Sequence, residues 1–115
     1  KLVRCVRGAV NDIIVDLRPG SPSYLQHKWF MLEETGLTAL FVPAGFAHGF
    51  LTLEDDSHVL YEMSDYFAPE LSRGIRWDDP TLGIEMPAEM VSINSKDVSY
   101  PDLDARNLRV FEGTW

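Results

Sequence analysis

Cysteine is almost absent from this chain: Cys5 stands alone among 115 residues. A single thiol closes no internal disulfide, so oxidative stapling plays no part in the fold. Its place in an alternating apolar run reads as a small buried hydrophobe. Basic residues are also scarce, with 10 Lys and Arg against 18 Asp and Glu, a formal charge of -8 and a pI near 4.7. That balance argues against nucleic-acid or anionic-membrane binding, which needs a basic face. A basic pocket inside an acidic chain is still allowed. No apolar run approaches a membrane span, and no signal peptide is visible. The chain opens on Lys1 rather than Met, so a leader is neither demonstrated nor dismissed. A cytoplasmic location is the default expectation.

Apolar residues make up 45% of the chain, enough for one small core filled by six Phe, four Tyr and three Trp. The length fits a single domain over residues 1–115. Short strands dominate the first two thirds. Leu2 to Arg7 alternates and is broken by Gly8. Val10 to Leu17 sets Ile13, Val15 and Leu17 on one face and Asp12 and Asp16 on the other. The cluster Arg18-Pro19-Gly20-Ser21-Pro22-Ser23 is a turn. Lys28 to Leu32, Thr38 to Val42, Phe46 to Leu53 and His58 to Phe67 are further strands.

No helix is expected before residue 69, and beyond it the chain reads as loop. Such a succession of short, turn-bounded strands defines an all-β chain, an antiparallel barrel or sandwich. We read it as a cupin-type jelly roll with an irregular C-terminal tail.

Phe46–Leu53 and His58–Phe67 are expected to form a hairpin across Glu54-Asp55-Asp56-Ser57. Pairing Leu53 with His58 sets His48 opposite Met63, Phe50 opposite Tyr61 and Thr52 opposite Val59. His48 and Tyr61 then share one face as diagonal neighbours. A one-residue slip would separate them. Two readings of such a pair stay open. Both side chains are core residues with one hydrogen bond each, or both move protons at one substrate. Removing a proton beside a ketone creates an enolate, and inversion needs a proton returned from the opposite face. Two acid/base groups and a donor at the oxyanion suffice for that chemistry.

A histidine in Pro-x-Gly-x-x-His spacing also serves as a metal ligand in some cupins. A metal needs about three converging protein ligands. His27 and His58 lie in separate segments, and the expected register turns His58 away from His48. No metal and no organic cofactor are expected.

The run Pro43-Ala44-Gly45-Phe46-Ala47-His48-Gly49-Phe50, then Tyr61, then Arg73-Gly74-Ile75-Arg76-Trp77-Asp78-Asp79-Pro80 resembles the dTDP-4-dehydrorhamnose 3,5-epimerase family. The resemblance extends from Lys1 to about Asp97. It implies a metal-free epimerase that inverts C3, C5 or both in a dTDP-4-keto-6-deoxyhexose, working as a homodimer. By resemblance Tyr61 is the far-face acid and Lys1 steadies the C4 oxyanion. Asp97 matches the carboxylate that orients the family's base. That base is a histidine in a segment reading Arg-Gly-Leu-His-Tyr-Gln, which the resemblance places ahead of Lys1. The chain is therefore expected to be an N-terminally truncated domain lacking its principal base.

His48 corresponds to a second pocket histidine and Asp12 to a pocket aspartate, whose plainer reading is a solvated strand-face acid. Phe67 follows Tyr66 where many relatives carry two tyrosines, so a substrate-facing hydroxyl is missing there. Lys96 and Arg4 are candidates for the diphosphate. Arg73 and Arg76 are read first as ion-pair partners of Glu70, Asp78 or Asp79. Two rival functions stand beside the epimerase: a cupin that binds without chemistry, and a metal-dependent cupin enzyme.

Overall fold

A computed structural model describes residues 1–104. Six strands assemble into two three-stranded antiparallel sheets. One sheet has the order β4-β1-β6, with β1 Leu2–Arg7 between β4 Leu40–Phe41 and β6 His58–Glu62. The other runs β3-β2-β5, with β2 Ala9–Asp16 between β3 His27–Glu33 and β5 Phe46–Thr52. This is the expected all-β, cupin-like architecture. After β6 the described chain is irregular apart from a 3-10 turn at Pro69–Leu71. The end of the expected tail, 105–115, lies outside the described residues.

Strand positions follow the sequence closely, except that β6 ends at Glu62 rather than Phe67. The pairing does not. β5 and β6 form no hairpin: β5 pairs with β2, placing His48 opposite Ile14, and β6 pairs with β1, placing Tyr61 opposite Val3. The turn after β5 therefore carries the chain from one sheet to the other. A central strand can pair along both of its edges, and β2 does so, with β3 on one side and β5 on the other.

Alternation along β2 fixes two separate cores. Val10 and Ile14 face the space between the sheets, packed with Val3, Cys5, Leu32 and Val42. Val15, followed by Leu17, faces outward under Leu82 and Leu103 of the C-terminal segment. The expected division of β2 into two faces holds, but the acidic face is the inner one. Asp12 and Asp16 are buried between the sheets while Ile13 stays half-buried. Cys5 is buried and free.

Candidate active site

A cavity of about 660 Å³ runs along β5, the edge strand of its sheet, and takes residues from both faces of that strand. His48 and Phe50 contribute from the inner face, Ala47 and Gly49 from the outer one. Lys1 closes one side, and Arg73, Asp97 and Tyr100 of the C-terminal segment close another. The lining is mainly apolar with a few charged groups, the usual composition of a small-molecule site.

His48 is held from behind. Its Nε2 lies 2.9 Å from Oδ2 of Asp12, whose side chain is 0% exposed. With Nε2 committed to the carboxylate, Nδ1 is the ring nitrogen left for other partners. Asp12 is not a solvated acid, and it does not line the cavity. Its Oδ1 is buried without a hydrogen-bond partner among the described residues. Trp29 Nε1, on a cavity-lining side chain, is likewise unpartnered.

Tyr61 and His48 reach the inter-sheet space from opposite walls. Tyr61 shares a face with Val3, and His48 shares one with Ile14; Val3 and Ile14 belong to the same inner core. The expected diagonal contact within one hairpin is replaced by two facing sheets. Tyr61 is 53% exposed and is not among the lining residues. Lys1 connects the two regions: it lines the cavity, and its Nζ sits 5.4 Å from the centroid of the Tyr61 ring. Cation–π contact of this kind is worth about 0.5–1 kcal/mol where exposed.

Asp97 lines the cavity, and its backbone N–H donates to Asn94 O at 3.0 Å. Lys96 and Phe67 lie outside the lining; Lys96 Nζ donates to Ser72 Oγ at 3.4 Å, and Phe67 is 75% exposed. Arg76 forms the expected ion pair with Asp78 at 2.9 Å, and a second, not foreseen, with Asp102 at 2.7 Å. Those carboxylates raise its pKa further, the hydrogen bond that it donates to Asp78 most. Arg73 differs, since its Nη1 donates only to the carbonyls of Glu70 and Ser72.

Two further buried carboxylates, Asp16 and Asp79, lie outside the cavity lining. Asp16, at the end of β2, accepts from Arg18, Ser21 and Ser23, and the Arg18 guanidinium above all holds it well below the usual carboxylate range. Asp79 is opposed by its burial, yet the backbone N–H groups of Leu103 and Thr81 still keep it low. This contact pins the C-terminal segment against the loop that walls the cavity. Sequence reasoning missed Tyr100. Its ring lies where a side chain at residue 74 would project, and no local signal joins positions so far apart. The Asp16 network had a signal, Asp-x-Arg followed by Ser-x-Ser, that was read only as a turn.

Among the described residues, no group of three or more His, Cys, Asp or Glu converges as metal ligands would. His58 is exposed opposite Arg7. Among the described residues, no helix is long and apolar enough to cross a membrane.

Two antiparallel sheets with a polar-edged cavity between strand and tail define a cupin-like β protein. The model of the dTDP-4-dehydrorhamnose 3,5-epimerase family matches residues 1–105, and the chain belongs to that family. It is 48% identical over 107 residues to the dTDP-4-dehydrorhamnose 3,5-epimerase of Sinorhizobium fredii, with 90% of this chain and 53% of the relative covered. A solved dTDP-6-deoxy-D-glucose-3,5-epimerase of Legionella pneumophila, in complex with dTDP-4-keto-L-rhamnose, superposes with a TM-score of 0.87 at 34% identity. That comparison covers 95% of this chain and 58% of the other. The Bacillus anthracis dTDP-4-dehydrorhamnose 3,5-epimerase with TDP and PPi bound gives a TM-score of 0.83 at 36% identity, covering 89% and 58%. The chain spans about half the length of the curated relatives it matches.

Proposed function

We propose that this protein is a sugar-nucleotide epimerase that inverts C3, C5 or both in a dTDP-4-keto-6-deoxyhexose. The observation that carries the reading is the gathering of Lys1, His48 and Asp97 around one cavity. Support comes also from the family membership and from relatives solved with TDP or a dTDP-keto-sugar.

In the proposed reaction a base removes the proton beside the C4 ketone, and the C–H electron pair moves into an enolate whose negative charge rests on the C4 oxygen. Lys1 donates a hydrogen bond to that oxygen. Tyr61 then delivers its phenolic proton to the opposite face of the carbon, the electron pair returns from oxygen, and the centre is inverted. Solvent then takes the abstracted proton from the base and returns one to the phenolate, which restores both groups. The base belongs to the Arg-Gly-Leu-His-Tyr-Gln segment that the resemblance places ahead of Lys1, and Asp97 orients it. His48, backed by Asp12, positions the sugar, while Phe67 and Lys96 complete the substrate contacts.

Homodimerisation and a cytoplasmic location belong to the same proposal. Phe41 and Leu60 are exposed on the outer face of the β4-β1-β6 sheet and suit a subunit contact. Sedimentation velocity tests this: a Leu60→Glu variant should shift a dimer toward monomer.

The deciding experiment incubates dTDP-4-keto-6-deoxyglucose in deuterated water with protein carrying the upstream segment. Deuterium should appear at C3, C5 or both by NMR. Tyr61→Phe should retain exchange better than inversion, because proton removal does not need the phenol. Equal loss of both would remove Tyr61 from the role of far-face acid.

A further inference from the structure

Tyr61 stands outside the lining of the cavity, whereas Tyr100 belongs to it. The phenol end of Tyr100, from Cε2 and Cζ to the hydroxyl, fills the place where a side chain at Gly74 would start, and Gly74 lines the cavity too. That hydroxyl has no hydrogen-bond partner among the described residues, and it is not sealed from solvent as Trp29 Nε1 is. A phenol that packs its ring and leaves its oxygen unmet presents that oxygen to whatever fills the space.

Tyr100 is also held in place before any ligand arrives. Pro101 narrows the backbone choices of the residue before it. The Tyr100 carbonyl accepts from Arg76 Nη1 at 3.4 Å, and Arg76 Nη2 lies 2.7 Å from Asp102. Just beyond, the N–H of Leu103 donates to the buried Asp79 at 2.6 Å. A donor fixed in this way loses little freedom on binding, so more of its hydrogen bond appears as affinity.

What this hydroxyl meets follows from its neutrality. Anionic oxygens draw charged donors, and the cavity has those in Lys1 and Arg73. A phenol both donates and accepts, as a sugar hydroxyl does, so the two match with no charge buried. Asp97, on the same short segment as Tyr100, lines the cavity with it. We infer that Tyr100 contacts the substrate, its hydroxyl hydrogen-bonded to a hydroxyl of the hexose. This rests on the epimerase reading and adds a residue that selects the sugar, because a group placed to bond a hydroxyl disfavours an analogue that lacks it.

Calorimetric titration with dTDP-glucose, and separately with dTDP, tests the contact on protein carrying the upstream segment, as wild type, Tyr100→Phe and Tyr66→Phe. dTDP-glucose has no C4 ketone, so it binds without turnover. Phenylalanine keeps the ring on Gly74 and removes only the oxygen. Tyr66 is 97% exposed and outside the lining, and its variant is the control. Tyr100→Phe should weaken dTDP-glucose about three- to tenfold, the loss of one neutral hydrogen bond, and leave dTDP within about twofold. Its melting temperature should match wild type, since the hydroxyl bonds nothing among the described residues. A lowered one would mean a bond within the protein and overturns the proposal. Unchanged affinity for dTDP-glucose overturns it, and so does the same loss in Tyr66→Phe. An equal loss for dTDP would put the contact on the nucleotide and overturns it as well. Wild type that fails to bind dTDP-glucose does the same, and failure with both ligands takes the epimerase reading with it. Deuterium exchange separates the two ideas: wild type that exchanges at C3 or C5, beside a Tyr100→Phe that binds dTDP-glucose normally, keeps the epimerase and removes only the Tyr100 contact.

Discussion

Asp16 is 1% exposed and still carries its charge, because Arg18, Ser21 and Ser23 surround it with donors. These contacts hold its carboxyl below the usual range, led by the Arg18 hydrogen bond. In acid the unfolded chain therefore binds a proton that the folded chain resists. The stabilisation from Asp16 is complete above the unfolded value, about pH 4, and drains away as pH falls below it. Replacing Asp16 with Asn should cost about 2 kcal/mol at pH 7, since a charged acceptor of several hydrogen bonds is lost. The gap to wild type should narrow steadily below about pH 4. Urea denaturation from neutral to acid pH measures both. Parallel acid limbs for the two proteins would show that Asp16 is not a source of the slope. Asp79, also held low, leaves a residual acid slope in the variant. At this scale the sequence was half legible. Alternation put Asp12 and Asp16 on the same face but carries no sign, and only the second sheet decides which face is inside. Lys1, His48 and Asp97 do meet at one cavity; Tyr61, Asp12, Lys96 and Phe67 stand outside its lining.

The segment after β6 has little regular structure, so single contacts between its parts set the shape of the cavity wall. A Cβ added at Gly74 would run into the ring of Tyr100, and both residues line the cavity. Gly74→Ala should therefore cost about 1–3 kcal/mol, the usual price of overpacking a filled site. In a Tyr100→Ala background the same substitution should be nearly neutral, because the ring it strikes is gone. A double-mutant cycle from thermal or denaturant melts reads the coupling. An additive cycle would mean that the two segments do not touch. A second anchor is Asp79, which accepts from the N–H groups of Thr81 and Leu103. Asp79→Ala leaves two donors to lose their partner, one of them buried, and should cost about 3 kcal/mol by the same melts. None of this was visible in the sequence. The elements that were visible, β1 to β6, are those whose apolar residues alternate; the tail has no period to read, and its order comes from distant contacts.

Sheet assembly is where local reasoning failed at the largest scale. Phe46–Thr52 and His58–Glu62 are adjacent strands with a short polar turn between them, and nearest-neighbour pairing is the ordinary outcome. A five-residue connection serves equally well to cross from one sheet to the other, and the strand sequences on either side look the same in both cases. The choice falls to the partners. β2 and β1 each pair on both edges, so β5 completes one ladder and β6 the other. The result encloses Val3, Cys5, Val10, Leu32 and Val42 between the sheets, with Val59 packed on them. This topology can be trapped chemically. Cys5 lies directly opposite Val59, and both face the inner core. Opposed residues on antiparallel strands have Cα atoms about 4.5–5.5 Å apart, within the reach of a disulfide. A Val59→Cys variant should therefore oxidise to an internal crosslink, with no free thiol after unfolding. Were β6 paired with β5, residue 59 would face Thr52 instead and both thiols would persist under oxidant. Counting thiols in the oxidised, unfolded variant, with a non-reducing gel to exclude crosslinks between chains, decides between the two sheets.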